Sequence, residues 1–545
     1  MLDRITNRAD YDRLRQTFRW ECPEFFNFGR DVVDQRAATT PDRVALWWVG
    51  ADTEHQVTWA EISARSSAVA QALAHLGLQP GDRILVLLPR IVPWWESMVG
   101  LLKGGLVAMP GTALLTARDL KYRLTTSDAV AVITDDDGAD KIDSITEPLP
   151  TLRHRVLVSN DCRAGWHAYE DLASTAAAPP DQPLTRSTDP ALIFFTSGTT
   201  GMPKMVLHTQ ASYGLGHAAT GRLWLDLGED DLHWNISDTG WAKAAWSSLF
   251  GPWLCGATIF VQYSKAKFQP DEVLKYLTEF PITSLCAAPT VYRYLVQLDL
   301  NGFRPATLRQ CVAAGEPLNP EVISVWQRST GHTIRDGYGQ TESVVLCANF
   351  PGIEVRAGSM GLPTPGIDLA VINEAGNRLP SGQTGALAVR VEPNRPLGLF
   401  QEYWRNPQAT AGSFHDGWYV TGDCAYTDTD GYVWFVGRAD DVITSSPYRI
   451  GPFEVESALI EHAAVVETAV VGKPDPIRGE IVKAYVVLAV GCQGSDALKS
   501  ELQEHVKRVT APYKYPREIE FVDHLPKTIS GKIRRLELRR RAAQE

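Results

Sequence analysis

A loop rich in glycine and hydroxylated side chains follows an apolar segment in the sequence FFTSGTTGMPK (194–204). Glycine lets backbone N–H groups turn toward an anion, and the hydroxyls of Ser197, Thr199 and Thr200 add further donors. The loop therefore predicts a phosphate cradle, with Lys204 supplying positive charge. Its spacing differs from the Walker A motif, because only two residues separate Gly198 from Gly201. On its own, such a loop is more often a plain turn.

Four later stretches carry residues suited to nucleotide chemistry. The first contains Thr341 and Glu342, a hydroxyl and a carboxylate suited to a phosphate and its Mg²⁺. The second places Asp423 at a predicted strand end, where a carboxylate can accept hydrogen bonds from a ribose diol. The third has two cations and two acids around a turn, and the fourth presents Lys532 beside Gly531. In chain order they are DGYGQTES (336–343), WYVTGD (418–423), GRADDVITSSPYRIGPFEVE (437–456) and LPKTISGKIRR (525–535).

The order and separation of these five stretches resemble the adenylate-forming superfamily of acyl-CoA synthetases, luciferases and peptide-synthetase adenylation domains. The flanking sequence is most similar to the medium-chain acyl-CoA synthetases, for example in GDRILVLLPRIVPWW (81–95) and SSPYRIGPFEVESALIEH (445–462). The resemblance implies a ligase that uses ATP, Mg²⁺ and coenzyme A. Its reaction would convert a carboxylate to an acyl-adenylate and then, by thiol attack, to a thioester.

The resemblance also implies roles for particular residues. A carboxylate must approach an anionic α-phosphate, so the site has to supply positive charge at that junction. Lys532 would supply this charge during adenylation, Thr341 would contact the α-phosphate and Glu342 would bind Mg²⁺. The simpler interpretations are a surface lysine on a basic C-terminal helix for Lys532 and an ordinary turn residue for Asp423.

The remaining nucleotide contacts are implied by the same resemblance. The β- and γ-phosphates would lie against the loop, the adenine against a turn after a strand, and the ribose against an acid–base pair. One arginine would lie on the phosphate side and another would contact the CoA phosphates, while an aspartate would form the hinge of a mobile C-terminal domain. The phosphate-loop residues are Thr196, Ser197, Gly198, Thr199, Thr200, Gly201 and Lys204, and the adenine-side residues are Gly315, Glu316 and Pro317, with Asp336, Gly337 and Tyr338. The ribose residues are Asp423 and Arg438, and the phosphate-side arginine is Arg449. The arginine for CoA is Arg478, and the hinge aspartate is Asp440.

The acyl pocket is expected around SDTGWAKAAW (237–246), in which Trp241 matches a pocket aromatic of the family. Acetate-specific members carry a tryptophan where this chain has Gly339, so the pocket should accept a medium-chain, branched or aromatic acid. Lys243 is unusual beside an apolar pocket. It could pair with a polar group of the substrate or extend to solvent.

One residue departs from the family pattern. Close relatives read SSGYRIG where this chain reads SSPYRIG, and Pro447 fixes φ near −65° and removes an N–H group. The change should slow transfer to CoA while sparing adenylation. It leaves open an enzyme with another acceptor, such as a carrier-protein thiol or an amine. A non-catalytic nucleotide-binding relative is a further alternative.

The sequence predicts that alternating buried strands and helices position these residues. Strands are predicted at 82–89, 129–136, 191–197, 256–262, 284–290 and 308–317, and a helix at 272–280. This alternation predicts an α/β fold with largely parallel sheets. By resemblance, a large N-terminal domain (1–438) combines α/β sheets with a distorted β-barrel, and a small mobile α+β domain (439–545) follows.

Composition excludes several function classes. The net charge of −11 argues against a nucleic-acid-binding scaffold, and no apolar stretch reaches the length of a membrane helix. The eight cysteines form no C-x-x-C pair, which favours reduced structural thiols. The N-terminal MLDRITNRADYDRLRQ mixes acidic and basic residues, which predicts a cytoplasmic location by default. The sequence leaves the oligomeric state open.

Overall fold

The structure is a computed structural model that describes residues 2–174, 184–196, 203–266, 268–445, 448–528 and 532–545. Four sheets organise these residues, and two of them are large and mostly parallel. The first has eight strands, and its central strands run parallel because helices connect them across its faces. In spatial order its strands are Glu402–Tyr403, Lys204–Thr209, Pro190–Thr196, Val107–Pro110, Arg83–Leu87, Ala131–Thr134, His154–Leu157 and His167–Ala168.

The second large sheet has nine strands and contains the strand that leads into the Thr341–Glu342 segment. Its centre is parallel, and antiparallel strands close both ends. In spatial order the strands are Leu362–Pro363, Val345–Ala348, Ile334–Gly339, Gln310–Ala313, Ser284–Ala287, Leu232–Ile236, Thr258–Gln262, Val44–Val49 and Glu54–Thr58.

The third sheet is antiparallel and lies in the part of the chain expected to form the distorted barrel. The fourth sheet belongs to the C-terminal part of the chain and has helices of its own, as expected for a small α+β unit. The third consists of Leu369–Ile372, Gly385–Arg390, Trp418–Thr427, Phe414–His415 and Val433–Arg438; the fourth consists of Tyr448–Ile450, Ile443–Ser445, Gly479–Leu488, Val465–Asp475 and Glu518–Phe521.

Helices cover the parallel sheets and flank the fourth. Several begin at a threonine that accepts a hydrogen bond from the third residue of the helix, as Thr58 and Thr116 do, which satisfies an N–H group that the helix leaves unpaired. The α-helices are Arg8–Thr17, Gln35–Thr39, Trp59–His75, Val92–Lys103, Ala117–Ser127, Asp136–Asp143, Tyr169–Ala173, Gln210–Gly214, His217–Ala219, Ala242–Ala245, Gly251–Leu254, Pro270–Glu279, Pro289–Leu295, Pro320–Thr330, Pro407–Ala411, Pro452–Ile460, Asp496–Val509 and Arg535–Gln544. Short π-helical turns occur at Gly29–Asp34, Thr220–Trp224 and Trp246–Phe250, and a 3₁₀ turn at Pro512–Lys514.

The predicted strands and helix are present, but most of the strands are shorter than their apolar runs. The predicted strand 308–317 is Gln310–Ala313, and its last residues instead form a turn in which Gly315 has a φ of +105°. Only glycine adopts this backbone readily, so the strand has to end before it. Among the described residues, the helices are all too short or too polar to cross a lipid bilayer.

Candidate active site

The predicted phosphate loop connects two antiparallel strands of the first sheet. Thr196 ends one strand and Lys204 begins the next, and the two residues are paired in the ladder. Ser197, Gly198, Thr199, Thr200 and Gly201 lie outside the described residues. The Lys204 ammonium lies 4.6 Å from the centre of the Tyr403 ring. The loop is therefore anchored by a sheet on both sides, with a cation at its exit.

Asp423 lies at the centre of a buried hydrogen-bond network on the third sheet. Its Oδ2 accepts from the Tyr338 hydroxyl and, at 2.7 Å, from Gln340 Nε2. Its Oδ1 accepts from Arg438 Nη1 at 3.1 Å. Burial raises the pKa of Asp423, while the Arg438 charge opposes that shift. The predicted ribose residues Asp423 and Arg438 are thus in direct contact, and the DGYGQTE segment supplies their other partners.

Thr341 and Glu342 are held by partners from separate parts of the chain. His208 Nε2 donates to the Thr341 carbonyl at 2.7 Å, and burial lowers the pKa of His208 to about 4, so its ring is neutral. The Tyr403 hydroxyl donates to Glu342 Oε1 at 2.8 Å. Burial raises the pKa of Glu342, and the Tyr403 hydrogen bond opposes the shift. Both backbone and side chain of this pair are therefore fixed from the large-domain side.

The predicted adenine-side turn follows strand Gln310–Ala313. Glu316 accepts from Thr290 Oγ1 at 2.5 Å and from Arg293 Nη2 at 3.0 Å. Burial favours the neutral acid, but the Arg293 charge and the Thr290 hydrogen bond outweigh it and lower the pKa of Glu316. Pro317 follows directly in the sequence.

Asp336 and Gly337 lie beside this turn on the next strand. Burial raises the pKa of Asp336 to about 8, and the Gly337 N–H donates to its Oδ1 at 3.0 Å. A Cβ atom on Gly337 would lie 2.4 Å from the Trp224 ring, which explains why glycine occupies this position.

The three predicted pocket residues have different surroundings. Trp241 precedes the short helix Ala242–Ala245 and is half-buried. Lys243 Nζ donates to the Ala314 carbonyl, so the lysine binds the adenine-side turn rather than extending to solvent. A Cβ atom on Gly339 would lie 2.6 Å from the Val344 carbonyl oxygen. The local backbone therefore leaves no space for a side chain at Gly339.

Lys532 lies in the C-terminal part of the chain. It is exposed, and its backbone N–H donates to Thr528 Oγ1 at 3.1 Å. Burial lowers the pKa of Lys243, and the charge of Lys532 contributes to the same shift. Arg535 Nη2 contacts both carboxylate oxygens of Glu456, at 2.8 and 2.7 Å. Lys532 thus contributes positive charge at Lys243, which donates to the Ala314 carbonyl.

The other predicted residues of the C-terminal part each contact a residue of that same part of the chain. Arg449 is exposed and donates to Thr444 Oγ1 across a short hairpin. Arg478 caps the turn between the two long strands, where its N–H donates to Asp475 Oδ1 at 2.7 Å. Asp440 is exposed, and its carbonyl accepts from Arg539. Pro447 lies outside the described residues.

The site fits a magnesium ion held mainly by nucleotide phosphates. No group of three or more His, Cys, Asp or Glu side chains that could hold a metal occurs within the part of the chain that the structure describes. Mg²⁺ commonly uses one or two carboxylates together with substrate phosphates and water. Glu342 offers such a carboxylate, because Tyr403 donates only to its Oε1.

Sequence reasoning missed several residues that shape the site. His208, Gln340 and Tyr403 contact the predicted residues directly. Gln340 lies inside the DGYGQTES stretch, so its polar side chain could have been identified as a site residue from the sequence. His208 and Tyr403 are far from Glu342 in sequence, and nothing local to their own segments indicated the contact.

Family comparisons match most of the chain. Residues 33–404 match the AMP-binding enzyme family, and residues 454–532 match the AMP-binding enzyme C-terminal domain. The chain is 47% identical to the mitochondrial acyl-coenzyme A synthetase ACSM3 of Mus musculus over 98% of its own length and 94% of that protein. It is 49% identical to the mitochondrial synthetase ACSM5 of Homo sapiens, covering 95% of this chain and 90% of that protein.

Solved structures with the same fold include two ligases for aromatic acids. The anthranilate CoA ligase AuaEII, in complex with anthranoyl-AMP, has a TM-score of 0.87 at 30% identity, covering 95% of this chain and 98% of that one. A benzoate CoA ligase from Burkholderia xenovorans LB400 has a TM-score of 0.81 at 29% identity, covering 94% and 100%. These structures confirm the predicted fold class.

One prediction is contradicted by the relatives. The N-terminal sequence predicted a cytoplasmic location, but both synthetases are named as mitochondrial, which points to the mitochondrion. The family prediction, in contrast, is confirmed by two family matches and by relatives that cover almost the whole chain. The chain therefore belongs to the AMP-binding enzyme family and is an AMP-forming acyl-CoA synthetase with ATP and CoA as substrates.

Proposed function

We propose that the enzyme uses Mg²⁺–ATP to activate a medium-chain, branched or aromatic carboxylic acid, with Lys532 acting at the adenylation step. The observation that carries this proposal is the hydrogen-bond network that holds the carboxylates of Asp423 and Glu342 in place. A carboxylate meeting an α-phosphate needs positive charge at their junction, and Lys532 would supply it. The positive charge that Lys532 contributes at Lys243 agrees with this role.

Asp423 and Arg438 would bind the ribose. A carboxylate offers about four acceptor positions. Tyr338, Gln340 and Arg438 use three of them on Asp423. One position remains for a ribose hydroxyl, and the carboxylate is already oriented by its other partners. The Gly315–Glu316–Pro317 turn would lie against the adenine, with Asp336, Gly337 and Tyr338 beside it.

The phosphates would be held by Thr196, Lys204 and the loop between them, together with Thr341. Glu342 would bind Mg²⁺. When bound, the ion would neutralise phosphate charge. Tyr403 holds one carboxylate oxygen of Glu342 at 2.8 Å, so the acid is oriented before the nucleotide arrives.

Two observations support an acid larger than acetate. Gly339 carries no side chain, so nothing from this position can fill the acyl pocket. The neighbours at about 30% identity are named as anthranilate and benzoate CoA ligases. Trp241 and Lys243 would border the acyl group, and Lys243 would also keep the adenine-side turn in place through the Ala314 carbonyl.

The small domain, from residue 439, would turn about Asp440 between the two half-reactions. Asp440 is exposed and is linked to Arg539 through its backbone carbonyl, and a hinge needs few such residues. Arg449 would lie on the phosphate side of the nucleotide, and after this motion Arg478 would contact the CoA phosphates.

The test is pyrophosphate release from Mg²⁺–ATP with acetate, octanoate, isobutyrate and benzoate, each with and without CoA, with thioester measured by mass spectrometry. The proposal expects thioester from octanoate, isobutyrate or benzoate, with acetate a poor substrate. Lys532→Ala should lower adenylate formation about 10²- to 10³-fold. Lys499→Ala, at a partly exposed lysine paired with Asp496 at 3.0 Å, serves as the control. Preference for acetate, or an unchanged Lys532→Ala rate, would contradict the proposal.

A further inference from the structure

Tyr403 makes contacts with both sides of the proposed phosphate site, although it lies outside the five recognised stretches. It belongs to the short strand Glu402–Tyr403, which pairs antiparallel with Lys204–Thr209 and places Tyr403 opposite Val206. Its hydroxyl donates to Glu342 Oε1 at 2.8 Å. Its ring lies under the Lys204 ammonium at 4.6 Å. One side chain therefore contacts both the carboxylate and the cation.

The position of Tyr403 is fixed by its surroundings. It is buried, with 6% of its surface exposed. Its ring lies 4.9 Å from that of Phe400, and its backbone N–H donates to Thr410 Oγ1 at 3.0 Å. The Phe400 N–H in turn donates to the Glu342 carbonyl at 2.8 Å. The segment that carries Tyr403 is thus bound to the backbone of Glu342 as well as to its side chain.

We propose that Tyr403 is a positioning residue that orients Glu342 toward Mg²⁺ and holds Lys204 over the nucleotide phosphates. This inference rests on the proposed role of Glu342 as the magnesium ligand. The hydroxyl directs one carboxylate oxygen away from the ion site, which leaves the other oxygen for the metal. The ring face attracts the Lys204 ammonium electrostatically and limits where it can lie. The two functions use different parts of one side chain and can be separated by substitution.

Two variants of Tyr403 separate these functions. Tyr403→Phe keeps the ring beneath Lys204 and removes only the hydroxyl, whereas Tyr403→Leu removes both. Tyr432→Phe is a matched control, because the Tyr432 hydroxyl donates to the Glu354 carbonyl at 2.7 Å and its ring lies 4.4 Å from the Arg356 guanidinium. This second tyrosine has the same chemistry at a place to which no nucleotide contact is assigned.

The measurement is Mn²⁺ binding by electron paramagnetic resonance in the presence of a non-hydrolysable ATP analogue, together with the affinity for the analogue without metal. Tyr403→Phe should weaken Mn²⁺ binding about tenfold, because a hydrogen bond to a charged group is lost, and leave metal-free affinity nearly unchanged. Tyr403→Leu should weaken both, the metal-free affinity by about two- to fivefold. Circular dichroism spectra would verify that each variant is folded at the temperature used.

Glu342→Gln separates this inference from the proposed function on which it rests. If Glu342→Gln weakens Mn²⁺ binding and Tyr403→Phe does not, the positioning role is wrong while the metal ligand stands. If Glu342→Gln also leaves Mn²⁺ binding intact, the assignment of the metal ligand fails and the inference fails with it. Equal effects of Tyr403→Phe and Tyr432→Phe would likewise overturn it, because they would indicate a general loss of packing.

Discussion

Asp423 on the large-domain side of the site and Lys532 on the small-domain side are held in opposite ways. Asp423 is 4% exposed and accepts hydrogen bonds from Tyr338, Gln340 and Arg438. Lys532 is exposed, and its backbone N–H donates to Thr528 in its own segment. A buried group held by several partners is preorganised before substrate binds, whereas an exposed one reaches the reaction through domain position. Changes at Asp423 should therefore affect stability and binding together, and changes at Lys532 should affect chemistry alone.

The largest effect on stability is expected from Asp423→Ala. The substitution leaves Tyr338, Gln340 and Arg438 without their common partner in a buried place, which should cost about 2 kcal/mol. Affinity for an ATP analogue should fall about tenfold or more. Urea unfolding and titration calorimetry measure the two effects. Asp430→Ala removes a more exposed partner of Arg356 and should change neither, and full ATP affinity in Asp423→Ala would refute the ribose assignment.

The buried histidine behind Thr341 offers a second way to examine the large-domain side. Burial lowers the pKa of His208 to about 4 from its usual 6.5. Between these values the unfolded chain binds the proton and the folded chain does not, so stability should fall as the pH drops from 6.5 toward 4. His208→Gln should lessen this loss by up to about 1.4 kcal/mol per pH unit. Urea unfolding of the parent and of His208→Gln from pH 7.5 to 5 measures the free energy of unfolding of each. An equal loss of stability in both proteins would contradict a buried neutral His208.

A smaller effect is expected from Pro447→Gly, which probes the small-domain side. Glycine adds an N–H group and backbone freedom at this position, so the CoA-dependent step should accelerate about two- to fivefold. Adenylate formation without CoA should stay constant. Rapid-quench measurement of each half-reaction distinguishes them, and an unaltered CoA-dependent rate would show that Pro447 does not limit transfer.

Lys243→Met should have the smallest effect. It removes the hydrogen bond to the Ala314 carbonyl and the cation beside the pocket, so relative rates across the acid panel should change about twofold or more. Lys275→Met, on the exposed face of helix Pro270–Glu279, is the control. An unchanged order and ratio of rates would remove Lys243 from the residues that determine substrate preference.

The family and the fold class could be predicted because the motifs that indicate them each lie in a continuous stretch of sequence. The DGYGQTES and WYVTGD stretches are far apart, and the structure brings Tyr338, Gln340 and Asp423 into contact. Tyr403 and His208 could not be predicted as partners of Glu342 and Thr341, since these contacts depend on how strand Lys204–Thr209 and its neighbour pack. The apolar pattern also predicted a strand that continued past Gly315. The positive φ of Gly315 ends it earlier, and the strand is Gln310–Ala313.

The exposed Lys532 is proposed to act in adenylation and not in thioester formation. The most direct measurement compares both half-reactions in Lys532→Ala, one from acid and Mg²⁺–ATP, the other from supplied acyl-adenylate and CoA. Adenylation should fall about 10²- to 10³-fold while thioester formation from the adenylate and the melting temperature stay near the parent values. Equal losses in both half-reactions, or a lowered melting temperature that accounts for the loss, would contradict the claim.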